Sequence, residues 1–151
     1  MLAPAIQANQ RPIVERFKAF YRDLSKLKLD DIETVYTPNI QFRDPATRIR
    51  GIEGLYTYLD NSCKPLLDGR FEYLDELVTQ ERAYIKWKLH FRHPRLGAKP
   101  IIVRGISHIH FNDLIHFHED VYDLGALLYD HVPVLGRATH WLKARLTRAQ
   151  D

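Results

Sequence analysis

Residues Ile101–Tyr122 read IIVRGISHIHFNDLIHFHEDVY, and this stretch decides the architecture. Apolar and polar side chains alternate on both sides of Asn112-Asp113, a dipeptide suited to a two-residue hairpin loop. A period of two marks half-buried strands, so the stretch is an antiparallel pair with one face on a core. With Asn112 and Asp113 as the loop, Phe111 is expected opposite Leu114, Ile109 opposite His116, Ser107 opposite His118 and Gly105 opposite Asp120. Cross-strand partners share a face. His116, His118 and Asp120 therefore lie with Gly105 and Ser107, and His108 and His110 lie on the other face with Arg104.

Four histidines in so short a run suggest a metal, and the expected register opposes it. His116, His118 and Asp120 share a face but span ~13 Å along one strand, too far to converge on one ion. No metal is expected. Asp120 stands apart because its neighbours Gly105 and Ser107 are small and leave room beside it. His118 and Tyr122, one step along on either side, are placed to set its hydrogen bonding. The other reading of Asp120 is a cap or ion-pair partner near the start of the last helix.

Working outward, Ala83, Ile85, Trp87, Leu89 and Phe91 alternate with Lys86, Lys88, His90 and Arg92, and Phe71–Val78 forms a further strand before them. Upstream the period is helical. Ile13, Phe17, Phe20, Leu24 and Leu27 predict one long helix, with Pro12 in its tolerant first turn. A short helix follows from Asp30 through Ile32, Val35 and Tyr36 and stops at Pro38. Ile40, Phe42 and Asp44 share one face of a short strand, and Gly51 opens a third helix carrying Ile52, Leu55, Tyr56 and Leu59. Helices followed by an antiparallel meander predict an α+β fold with the helices on one side of the sheet. Asp44, just before Pro45, has two readings: a turn carboxylate bound to backbone amides, or a carboxylate aimed into a pocket. Its apolar companions Ile40 and Phe42 favour the pocket.

At 151 residues the chain has the size of one domain. The expected layout is a single domain over 1–151, with 1–11 flexible and 124–151 a helical extension. Composition is ordinary for a globular protein, 45% hydrophobic and 27% charged. The longest apolar runs fall well short of the ~20 residues that span a membrane, and the first residues do not resemble a secretory signal. The single Cys63 allows no internal disulfide and fits a reducing cytoplasm. The 22 basic and 19 acidic residues are interleaved, so no nucleic-acid arm is expected. Past Asp130, however, Arg137, His140, Lys143, Arg145 and Arg148 give the end a basic bias. There Leu135, Ala138, Leu142 and Leu146 form one helical stripe, and Arg137, Trp141, Ala144 and Arg148 another. Such a helix is expected to cover a pocket mouth or cross a dimer partner, the alternative being rest on an anionic membrane surface.

The segment LDDIETVYTPNIQFRDPATRIRGIEGL (29–55) resembles the NTF2-like superfamily, in which a short helix leads to a strand ending Asp-Pro and then to a Gly that starts the third helix. HFNDLIHFHEDVYDLG (110–125) resembles the closing hairpin of its SnoaL-like members. The resemblance covers about Ile13 to Asp123 and implies a curved, mostly antiparallel sheet closed by three N-terminal helices into a cone with a pocket. It implies Asp44 at the position of the ketosteroid isomerase base, with Phe20 and Ser107 where those enzymes carry oxyanion donors. It implies Asp120 at the acid/base position of SnoaL-type polyketide cyclases and at the last Asp of limonene-type epoxide hydrolases. The tyrosine-asparagine water cradle and the arginine of the latter are missing, since Phe42 and Asp44 stand at the first-strand pair.

Two functional readings stand. One is a cofactor-free acid/base isomerase, cyclase or hydrolase acting on a small apolar molecule, with Asp44, Asp120 and His118 as catalytic residues. Its pocket is walled by Phe17, Phe20, Phe42, Trp87, Phe91, Ser107 and Tyr122, and its likeness predicts a homodimer formed through the outer sheet face. The other is a non-catalytic ligand-binding or protein-interaction module on the same fold.

Overall fold

The computed structural model describes residues 11–125 and 133–147. Helix α1 (Pro12–Tyr21) buries Ile13, Val14, Phe17 and Tyr21. It ends earlier than the apolar spacing implies. Asp23 adopts an extended conformation and its carboxylate accepts the amide and hydroxyl of Ser25, which opens a separate 3-10 turn at Leu24–Lys26. A side chain that bonds nearby backbone competes with continuation of a helix. Leu24 is therefore delivered to the core by a turn.

A 3-10 segment, Leu29–Thr34, stands where a helix from Asp30 to Tyr36 was expected. Tyr36 instead starts strand β1 (Tyr36–Arg43), whose inward positions are Tyr36, Ile40 and Phe42. Asp44 lies just past its end. A short strand β2 (Arg48–Arg50), not anticipated from the sequence, returns antiparallel to β1. Gly51 then turns the chain into α2 (Ile52–Cys63) with φ 92° and ψ 148°, a conformation that only glycine adopts without strain.

Strands β3 (Asp68–Val78), β4 (Arg82–Arg92), β5 (Ile101–Phe111) and β6 (Ile115–Tyr122) form the antiparallel meander. β1 adds to it parallel to β6, giving one six-stranded sheet in the order β2-β1-β6-β5-β4-β3. Bulges between Tyr73 and Asp75 and between His110 and Phe111 bend the strands. The result is an open curved α+β sheet whose inner face meets α1 and α2 in one apolar core, with Val14, Ile40, Leu55, Ile85, Ile109 and Ile115 fully enclosed.

The closing hairpin departs from the expected register in an instructive way. Ile109 pairs with His118, Ser107 with Asp120 and Gly105 with Tyr122, each two residues along from the expected partner. A shift of two preserves the face. His118 and Asp120 thus remain inward, whereas His116 is the extra residue of the bulge and is exposed. It joins His108 and His110 on the outer face, its ring 6.1 Å from that of His110. Among the described residues no group of three or more His, Cys, Asp or Glu is arranged to hold a metal ion.

Helix α3 (Pro133–Thr147) exposes Trp141, Leu142 and Leu146. The expectations for residues 1–10, 126–132 and 148–151, and for the side chains of Leu135, Ala138 and His140, lie outside the described residues. No helix among the described residues is long and apolar enough to cross a membrane.

A Cβ at Gly51 would meet no atom closer than the Pro38 carbonyl at 3.9 Å, so replacing it tests conformation without crowding. Gly51→Ala is expected to lower stability by about 1–3 kcal/mol, read from urea denaturation, with the same slope as the parent protein.

Candidate functional site

The inner face of the sheet and the two helices enclose a cavity of about 460 Å³. Its wall is largely aromatic and aliphatic, which is the usual character of a small-molecule site. Tyr21 from α1, Tyr58 from α2, Trp87 from β4, Ser107 from β5 and His118 and Asp120 from β6 all reach it.

The polar end is built around His118, a histidine only 2% exposed. Phe17 and Phe42 meet its ring edge-on at 5.1 and 4.9 Å, and the Tyr36 ring stacks along it. Both ring nitrogens are partnered: Nε2 lies 2.7 Å from Asp120 Oδ1, and Nδ1 lies 2.7 Å from the Tyr36 hydroxyl. The Tyr36 hydroxyl lies in turn 2.6 Å from that of Tyr21. A carboxylate only accepts, so a neutral His118 carries its proton on Nε2 and leaves Nδ1 to accept from Tyr36. Every group in the chain Tyr21–Tyr36–His118–Asp120 is then satisfied. Burial pushes the Tyr21 and Tyr36 hydroxyls well above the ordinary tyrosine range.

Asp120 is held from a second side. Ser107 donates to Oδ1 at 2.6 Å, and the Trp87 indole donates to the Ser107 hydroxyl at 2.9 Å. Among the described residues Oδ2 has no hydrogen bond. The carboxylate is thus fixed through one oxygen while the side chain faces the cavity. The room expected beside it at Gly105 is not empty. A Cβ at Gly105 would lie 2.4 Å from the Trp87 ring, so the missing side chain is what admits the indole.

Asp44 lines the same cavity and is at the same time a turn residue. Its Oδ1 accepts the amides of Ala46 at 2.8 Å and Thr47 at 2.9 Å, and its Oδ2 accepts the Tyr58 hydroxyl. The two readings drawn from the sequence were therefore not exclusive. Burial, with the Asp44 contact second, raises the Tyr58 hydroxyl far above its usual range. Tyr122 is pushed up to about 12, by burial first and then by the nearby charges of Asp44 and Asp120.

Of the wall residues expected from the sequence, Phe17, Phe42, Trp87, Phe91, Ser107 and Tyr122 line the cavity and Phe20 does not. Phe20 is half-buried, packs against the core and borders a separate groove with Lys26 and Lys28. Tyr21 takes the inward place one residue later, because adjacent helix positions point about 100° apart. Tyr21, Tyr36 and Tyr58 are the polar wall and relay residues that the sequence reading missed. The i,i+4 spacing from Phe17 marks Tyr21, and the two-residue period through Ile40 and Phe42 marks Tyr36.

The model of the SnoaL-like domain matches residues 17–115, and the chain belongs to that family. A protein from Jannaschia sp. CCS1 assigned to the SnoaL-like polyketide cyclases superposes with TM-score 0.69 at 12% identity, over 85% of this chain and 94% of its own. Another with that assignment, from Shewanella putrefaciens CN-32, gives 0.68 at 11% identity over 81% and 95%. A protein with a ketosteroid isomerase-like fold from Catenulispora acidiphila, solved in complex with trimethylamine, gives 0.67 at 13% identity over 78% and 89%. These likenesses establish the fold. Among curated proteins none matches the chain.

The tyrosine pair also makes a pH prediction. The unfolded chain ionises Tyr21 and Tyr36 near pH 10, while the folded chain keeps both neutral at that pH. Their contribution is complete below pH 10 and is lost as pH rises past it, by up to ~1.4 kcal/mol per pH unit for each. Tyr36→Phe is expected to cost about 1–3 kcal/mol at neutral pH, because Nδ1 of His118 loses its donor. The same variant should flatten the alkaline loss when denaturation is compared on either side of pH 10.

Proposed function

We propose that the protein is a cofactor-free acid/base enzyme acting on a small, largely apolar carbonyl compound, as an isomerase or cyclase, in the cytoplasm. The observation that carries this is Asp120, clamped through Oδ1 by Ser107 and His118 inside an apolar cavity, with Oδ2 free of donors among the described residues. A carboxylate so placed can take a proton from carbon next to a carbonyl. The electron pair moves onto the carbonyl oxygen as the proton is taken up by Asp120. Return of the proton to a different carbon completes an isomerisation with no net gain or loss of atoms. His118 acts by orienting Asp120 and carrying the hydrogen-bond chain to Tyr36 and Tyr21.

Asp44 has a different part in this reading. With three hydrogen bonds accepted, it is a fixed charge in the wall and not the base.

The test is hydrogen–deuterium exchange at carbon, followed by NMR, on a panel of aryl and cyclic ketones. Asp120→Asn is expected to slow exchange by about 10²–10⁴-fold at unchanged stability. Equal rates in the two proteins would leave the cavity as a binding site without chemistry.

The same reading takes the protein as a homodimer through the outer sheet face, where Leu77, Tyr84, Ile102, Ile106 and Val121 are exposed. Ile106 and Val121 are cross-strand partners at the middle of that face. Ile106→Glu is expected to halve the mass measured by sedimentation equilibrium; a parent protein that sediments as a monomer refutes the dimer.

A further inference from the structure

The charges on the cavity wall are unbalanced. Asp44 and Asp120 both line it, and among the described residues Arg95 is the single lysine or arginine that does. Arg95 is exposed, so solvent screens it. Around Asp44 the wall is aromatic. The Phe42 and Tyr58 rings meet at 5.5 Å and 46°, forming a corner, and Tyr122 is near enough to both carboxylates to feel their charge.

We infer that the occupant of this cavity is an organic cation, an apolar body carrying a quaternary ammonium, seated against Asp44 between Phe42, Tyr58 and Tyr122. The inference rests on the reading of the cavity as a small-molecule site and specifies its ligand. Two features of the corner select this chemistry. Asp44 has spent its oxygens on the Ala46 and Thr47 amides and the Tyr58 hydroxyl, so it offers a negative field more than a free lone pair. A fully alkylated ammonium presents no N–H and needs only that field and the faces of electron-rich rings. Tyr58, by donating its hydroxyl proton toward a carboxylate, has the more electron-rich ring that such a cation favours.

The alternatives fit less well. An anionic ligand would face two carboxylates, and a neutral one would gain no charge attraction from either. A primary ammonium would bring three donors to a corner whose carboxylate is already engaged. Asp120, with Oδ2 uncommitted, remains free for proton transfer at the other end of the ligand.

The experiment is calorimetric titration of the full chain with choline and with its neutral tert-butyl isostere, in which carbon replaces nitrogen. Choline is expected to bind at least ~10-fold more tightly, an advantage within the range of a desolvated cation–aromatic contact. Asp44→Asn keeps an oxygen for the two amides, and is expected to bring the two affinities together while leaving the isostere unchanged. Added salt should erode the advantage in the parent protein only. Equal binding of choline and the isostere by the parent protein overturns the inference while leaving a small-molecule cavity in place. Binding of neither overturns both, and an advantage that survives in Asp44→Asn removes Asp44 from the site. The carbon-exchange comparison with Asp120→Asn reports on the chemistry separately.

Discussion

A histidine buried to 2% exposure must find a partner for each ring nitrogen, and much of this structure is arranged around that requirement at His118. An unpartnered buried nitrogen costs about 1–3 kcal/mol, a sizeable share of a small domain's stability. The two partners come from different parts of the chain. Tyr36 opens β1 and Asp120 lies on β6, and β1 pairs parallel to β6 with Phe42 directly beside His118. Tyr21 extends the chain to α1, so one line of hydrogen bonds ties the first helix, the first strand and the last strand to each other. Moving any of these elements by a residue would break the line.

A second constraint meets the first at Asp120. Gly105 admits the Trp87 indole, the indole nitrogen fixes Ser107, and Ser107 fixes the carboxylate. The aromatic wall of the cavity and the position of its acid are thus set by the same side chain. This explains how an apolar cavity can hold a carboxylate at a defined angle: the groups that orient it are themselves packed rings, whose positions the core dictates.

The faces of the strands were legible in the sequence because alternation survives a register error of two. Ser107, His118, Asp120 and Tyr122 were placed inward correctly, although their cross-strand partners were not. The bulge at His116 was not legible, since one inserted residue leaves no mark on composition. Helix ends failed for a related reason. The end of α1 is decided by Asp23 bonding Ser25, a local competition that an apolar stripe running on through Leu27 conceals. Phe20 and Tyr21 differ by one position and equally suit a wall, so only the packing of α1 on the sheet separates them. Gly105 misled for a physical reason as well: a small residue in a strand signals close approach by something, and the sequence does not say whether that is a ligand or a tryptophan.

The two carboxylates show why residue type alone does not assign a role. Asp44 follows a strand, precedes a proline and lines the cavity, as a catalytic base on this fold would be placed. The proposed mechanism gives it another part, since two amides and a tyrosine hydroxyl occupy its oxygens. Among the described residues Asp120 takes both of its bonds on one oxygen and leaves the other uncommitted. A group meant to hold charge is best served by saturating both oxygens. A group meant to exchange a proton needs one of them free, in surroundings that keep the other from turning away. Among the described residues the cavity holds one carboxylate with both oxygens engaged and one with a single oxygen engaged, and the proposed roles rest on that division of partners more than on the fold the family shares.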